Sequence, residues 1–111
     1  MGRSDVADQA ARAAIAAALS EAGFALPGTL VERHMRCGKS ACRCASDPTA
    51  LHGPYFSWTR KVNGKTVTRL LSAAQVERYR EWFANARRIR ELMGELEALS
   101  LEIAESAEGW S

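Results

Sequence analysis

All three cysteines of the chain fall within the stretch CGKSACRCASDPTALHGPY, Cys37 to Tyr55, together with one of its two histidines. In a chain of 111 residues this clustering constrains the fold more than any other feature. The spacing is C-x4-C-x-C-x7-H, running from Cys37 through Cys42 and Cys44 to His52. Tetrahedral zinc takes four soft or borderline ligands of this kind, often closely spaced cysteines from a short loop. The set Cys37, Cys42, Cys44 and His52 therefore predicts one structural zinc ion per chain, which would add folding free energy to a small domain. Lys39 and Arg43 offset the negative charge of such a centre. His34, three residues before Cys37, is the rival fourth ligand. His52 is preferred, because in an extended strand His34 and Cys37 lie on opposite faces while His52 returns to the strand base.

Three other readings of the thiols stand beside zinc, of which core filling is disfavoured because three cysteines in eight residues are improbable by chance in a chain with no others. A redox or nucleophilic cluster would use Lys39 and Arg43 to lower a thiol pKa. Against it, the segment has no CxxC pair, and Cys42 and Cys44, one residue apart, would form a strained disulfide. Iron is the other metal option, but an iron–sulfur site normally takes a fourth cysteine.

The length is that of one small domain. A composition of 47% hydrophobic and 25% charged residues is that of a soluble globular protein. No run of about 18 apolar residues is present to span a membrane. The opening MGRSDVADQAARAAIAAALSEAG is rich in alanine, but its charged residues keep it far from the apolar density of a secretory signal. A cytoplasmic location is expected, where thiols stay reduced and an odd number of them is tolerated.

The net charge of +2 is unevenly placed. Between Thr29 and Leu70 eight cations (Arg33, Arg36, Lys39, Arg43, Arg60, Lys61, Lys65, Arg69) face two acids, Glu32 and Asp47. The tail from Gly94 carries five glutamates and no cation. A basic module between acidic flanks points to phosphate-bearing partners.

Local patterns give an α+β chain of four parts, folded as a single domain. Residues 1–26 hold an alanine-rich N-terminal helix, with Ser4 as N-cap, Asp5 and Asp8 in the first turn and Gly23 as the stop. Residues 27–72 form a Cys/His module: a strand from Thr29 to Arg36, the cysteine loop, and a hairpin, together a three-stranded antiparallel sheet. Asn63 and Gly64 tolerate the positive φ of a two-residue type I′ turn. In that register one face carries Phe56, Trp58, Arg60, Val62, Lys65, Val67, Arg69 and Leu71 and packs on a helix. The other carries Tyr55, Ser57, Thr59, Lys61, Thr66, Thr68 and Leu70. Residues 73–107 form a long helix opened by a capping box from Ser72 to Gln75, and 108–111 a tail. Tyr79, Trp82, Ala86, Ile89, Met93, Leu96, Ser100 and Ile103 follow an unbroken heptad register, with Leu92 and Leu99 flanking it. A helix roughly 50 Å long cannot bury that whole stripe on strands about 20 Å long. Its far half needs either the N-terminal helix or a copy of itself. The scarcity of large apolar groups in the N-terminal helix favours a coiled-coil-like homodimer through Tyr79, Trp82, Ala86, Ile89, Met93, Leu96 and Ile103. Trp58, Tyr79 and Trp82 read as core or interface residues.

The stretches GTLVERHMRCGKSACRCA and LHGPYFSWTRKVNGKTVTR, followed by a charged helix, resemble a family of small uncharacterised bacterial proteins. That family shares the pattern GSLxER, CGKxxCxC, HGPY, a GKT-type hairpin and a helix. The resemblance covers about Pro27 to Met93. It implies that Cys37, Cys42, Cys44 and His52 are signature positions, that Gly53, Pro54 and Tyr55 form a structural turn, and that members often lie near transposase or other mobile-element genes. It implies no activity.

Two function classes compete. In the first, the sheet binds DNA, as in the arm-binding domains of tyrosine recombinases, an analogy of fold alone. Arg36, Lys39, Arg43, Lys61 and Lys65 would contact phosphates, and Thr59, Thr66, Thr68 or Arg60 would approach base edges. In the second, the chain is an assembly adaptor that dimerises through its long helix and presents the sheet to a transposase-like partner. No enzyme is expected: the chain lacks a paired-carboxylate site, a P-loop or a nucleophile with a base, and a Cys3His centre leaves no open coordination position.

Overall fold

Asn63 and Gly64 turn the chain with φ of 51° and 80°, both in the left-handed region that a type I′ hairpin needs. In the computed structural model, which describes residues 3–110, this turn joins β2 (His52–Val62) to β3 (Lys65–Leu71). Met1, Gly2 and Ser111, the outermost residues of the N-terminal segment and of the tail, lie outside the described residues. The hairpin register is the expected one: Val62 opposes Lys65, Arg60 opposes Val67, Trp58 opposes Arg69 and Phe56 opposes Leu71. β1 (Thr29–Met35) lies antiparallel on the other side of β2, giving the sheet order β1-β2-β3. Leu30 pairs with Trp58 and Glu32 with Phe56, so they join the Trp58 face. Thr29, Val31 and Arg33 pair with Thr59, Ser57 and Tyr55 and extend the hydroxyl-rich face.

The β1–β2 register shifts between Arg33 and Met35, because Arg33 opposes Tyr55 while Met35 already opposes His52. Gly53 and Pro54 thus stand against the single residue His34, a β-bulge. This corrects the expected turn at Gly53, Pro54 and Tyr55: with His52 these residues open β2. Proline, which cannot donate to a ladder, is tolerated in a strand at such a bulge. Gly53 has a φ of 140°, and a Cβ there would come within 2.8 Å of the Arg33 carbonyl oxygen.

The Leu26–Phe83 segment is one compact unit, made of the sheet, the cysteine loop and the start of α2 (Ala73–Glu108). The capping box forms reciprocally: the Ser72 N–H donates to Gln75 Oε1 (2.9 Å) and the Gln75 N–H to Ser72 Oγ (3.1 Å). From this start the helix buries Val76, 1% exposed, and Phe83, whose ring meets Trp58 edge-on with centroids 6.0 Å apart. Burying a side chain of this kind stabilises by about 1.5–3 kcal/mol, and the Phe83–Trp58 contact ties α2 to the sheet. The Trp58 face is therefore the helix-covered face, as expected.

The second unit combines α1 (Asp5–Ser20) with the part of α2 from Ala84 onward. Ser4 caps α1, its Oγ accepting from the Ala7 N–H (3.3 Å). Arg3 bridges Asp8 (2.8 Å) and Glu102 (3.3 Å). At the opposite end Asn85 Nδ2 donates to the Phe24 carbonyl (2.9 Å), so the helices run antiparallel. Ala11, Ala14, Ile15 and Ala18 line one groove with Leu92, which is only 2% exposed. Leu96, Leu99 and Ile103 continue this stripe opposite Asp8 and Arg12. Within the chain it is thus the N-terminal helix that takes up the far half of α2, the partner the composition of α1 had disfavoured. No residue of α1 is itself buried, so its alanines line the groove beside Leu92 without filling it. No helix among the described residues is long and apolar enough to cross a membrane.

Candidate metal centre

The cysteine loop is shaped by backbone turns before any ligand is considered. β1 ends at Met35, opposite His52, so the chain leaves for the loop and returns from it at the same end of the sheet. The Cys42 N–H donates to the Lys39 carbonyl (3.1 Å), and the Ala45 N–H to the Cys42 carbonyl (3.0 Å). These bonds form a short helical turn at Arg43–Ala45 that carries Cys44 inward, where it is 0% exposed. Asp47 caps the next turn, Pro48–Ala50, accepting from the Thr49 N–H (2.9 Å) and hydroxyl (2.7 Å). Its other oxygen accepts from Arg43 Nε (3.0 Å). These three donors hold the Asp47 carboxyl below its ordinary pKa, the Thr49 hydroxyl contributing most.

The ligand atoms of Cys37, Cys42, Cys44 and His52 all lie within 4.8 Å of one another, an arrangement that could hold a metal ion. Cys37 Sγ and Cys44 Sγ are 3.6 Å apart, and Cys42 Sγ is 3.2 Å from His52 Nε2. Four-coordinate zinc with bonds of about 2.3 Å to sulfur sets thiolates roughly 3.8 Å apart, so the cluster has the right size. The Cys37 N–H also donates to Cys44 Sγ (3.4 Å), the kind of bond that supports a thiolate. His52 is the histidine of the group, and His34 is outside it, held in the bulge against Gly53.

The thiols differ in acidity. The Cys44 N–H draws the Cys42 thiol below its ordinary pKa, helped by the other two thiols. For Cys44 the Cys37 N–H pulls in the same direction, but burial and the neighbouring sulfurs outweigh it and raise the value. Three sulfurs crowded round one buried position are a site that a cation relieves. Lys39 and Arg43 are exposed, and Arg43 is engaged with Asp47.

The residues expected to contact nucleic acid fall into three groups. Thr59, Lys61, Thr66 and Thr68 share the face away from the helix, where Thr59 and Thr68 hydroxyls lie 3.3 Å apart and Lys61 Nζ donates to Thr66 Oγ1 (2.6 Å). Arg60 and Lys65 lie on the opposite face, and the Arg60 guanidinium stacks 4.3 Å above the Trp58 ring. Arg36 and Lys39 line a small cleft beside the cluster with Gly38, Ser40, Cys44 and Ala45, and Arg43 bonds Asp47. Arg33, absent from the expected set, sits on the hydroxyl face opposite Tyr55, and the period-2 alternation of β1 was the signal that could have found it. Of the residues expected in a dimer helix, Tyr79 and Trp82 contact each other in the sheet unit. Ala86 is buried, Ile89 and Leu96 are half-buried, Ile103 lies at the edge of the α1 stripe, and Met93 is exposed.

A family model described as a domain of unknown function, DUF6788, matches residues 6–81, and the chain belongs to that family. The match takes in α1 as well as the CGK, CxC and HGPY elements and ends inside α2, whereas the sequence resemblance began only at Pro27. No curated protein and no solved structure matches the chain.

Proposed function

We propose that this DUF6788 chain is a small non-enzymatic module in which one zinc ion, held by Cys37, Cys42, Cys44 and His52, fastens a β-sheet that binds DNA. Three sulfurs and one imidazole nitrogen are a structural zinc set, and a metal there would tie the end of β1 to the start of β2. The observation that carries the DNA reading is the sheet face away from the helix. It bears Arg33 and Lys61 among Thr29, Ser57, Thr59, Thr66 and Thr68, with no acid among the residues paired on it. Three strands span about 10 Å, a width compatible with a major groove of about 12 Å. Arg36 and Lys39, beside the metal cluster, would add phosphate contacts at one end.

DNA binding by the zinc-loaded chain at two salt concentrations tests this reading. Affinity for duplex DNA should fall steeply as salt rises. Arg33→Gln and Lys61→Gln should each weaken binding and reduce the salt slope by about one. Absence of binding at low salt overturns it.

A second reading, an adaptor that dimerises through α2 and docks a transposase-like protein, is favoured by apolar residues of α2 outside the α1 stripe. Met93 is 45% and Leu101 54% exposed. A dimer by light scattering, lost in Met93→Lys, together with no DNA binding, would select it.

A further inference from the structure

Trp58, Tyr79 and Trp82 do not close into a core. They stand half-buried around a cleft of about 290 Å³, whose walls also include Leu71, Gln75 and Arg69. The buried apolar residues of this part of α2 are Val76 and Phe83, and Phe83 meets Trp58 edge-on. Tyr79 and Trp82 meet edge-on at 73°, with centroids 5.1 Å apart, so they form a corner of two aromatic surfaces. Trp58 is fixed from two sides: its Nε1 donates to the Pro27 carbonyl (2.8 Å), and Arg60 stacks on its ring. The polar equipment is specific as well. Gln75 Oε1 is occupied by the Ser72 N–H, which leaves the amide NH2 group as the available donor. Arg69 is exposed and makes no ion pair among the described residues, and no carboxylate lines the cleft.

Aromatic surfaces, an amide donor and a guanidinium without an ion pair, in a cleft whose wall holds no carboxylate, are complementary to a flat π system that has acceptors on its edge and carries negative charge. We propose that this cleft binds a single nucleobase together with its phosphate, the base stacking within the Trp58, Tyr79 and Trp82 walls, the Gln75 amide donating to the base edge, and Arg69 taking the phosphate. Base–aromatic stacking is tolerant of base identity, so the cleft selects a nucleotide rather than a sequence. The base can come from unpaired nucleic acid or from a free mononucleotide. The cleft lies on the helix-covered side of the sheet, whereas the duplex reading uses the other side, so either can fail without the other.

The test is quenching of tryptophan fluorescence in the zinc-loaded Trp110→Phe chain, which removes the one tryptophan that does not line the cleft. The probes are AMP, adenosine, a short oligo-dA strand, a blunt duplex and a phosphotyrosine peptide. Saturable quenching by oligo-dA or AMP, with adenosine weaker, is the expected result. Oligo-dA much tighter than AMP identifies unpaired nucleic acid as the source, and equal affinities identify the free nucleotide. Gln75→Glu keeps a side-chain acceptor for the capping box while replacing the donor by a negative charge. It should retain the melting temperature and lose about tenfold or more in affinity. Arg69→Gln should weaken AMP but leave adenosine unchanged. No saturable quenching by AMP or oligo-dA, quenching by the duplex or the phosphopeptide alone, or unchanged affinity in a folded Gln75→Glu variant each overturns the proposal.

Discussion

Gly53 supports the cluster of Cys37, Cys42, Cys44 and His52 without contributing a ligand atom. Its φ of 140° and the approach of the Arg33 carbonyl leave no room for a Cβ, and the next residue back is His52. Gly53→Ala should destabilise the fold by about 1–3 kcal/mol and weaken zinc retention, read by thermal melting and competition with a chelator. Among the histidines, His52→Gln should abolish the binding of about one equivalent of zinc and His34→Gln should not. The reverse result would move the fourth ligand into the bulge. Asp47 gives the loop a pH dependence of definite sign. Its folded pKa lies below the ordinary value, so in acid the unfolded chain binds the extra proton, and stability falls as pH drops through the range below about 4. Thermal melts between pH 2 and 5 should show this slope, and Asp47→Asn should flatten it. Of the residue-scale features, the choice of His52 over His34 was legible from the return of His52 to the base of the strand, whereas strand alternation does not reach Cys37, since β1 ends at Met35. The position of Pro54 in a strand was not, because Pro and Gly normally end strands, and only the partner strand reveals the bulge that admits them.

At the scale of elements, the hairpin was the most legible part of the chain. Two adjacent residues set its register, and every cross-strand pair from Phe56–Leu71 to Val62–Lys65 follows from the count outward. The capping box at Ser72 was equally local. The partner of α2 was not, since the pairing of α1 with Leu92, Leu96 and Leu99 joins segments far apart in sequence, and a helical stripe does not say which helix covers it. Counting large apolar groups undervalued α1, because alanines as well as Ile15 line the groove beside Leu92. That contact makes a prediction of its own. Ala14→Glu, in the groove with Leu92, should lower the melting temperature and leave zinc stoichiometry unchanged. Loss of zinc in that variant would mean that the two units do not hold their structures separately.

For the whole molecule the basic centre and acidic ends were visible in the sequence, but the division of the cations between the two sheet faces was not. Removal of the metal should act on the Leu26–Phe83 unit first. Chelation should lower its stability and expose the otherwise buried Cys44 to thiol reagents, while the helical signal of α1 and the end of α2 persists. Acid should do the same, since thiolates and a neutral imidazole are the metal-binding forms and protons compete for them.

The pairing of Met35 with His52 also bears on the order of folding. β2 and β3 meet across two residues, whereas β1 and β2 must find each other across the whole cysteine loop, the less local and slower of the two searches. A metal captured by the disordered chain would close that loop into a ring and remove most of its closure entropy before any strand forms. The ion would then act earlier than the native state it sits in: refolding from denaturant should be faster with zinc present from the start than with zinc added afterwards.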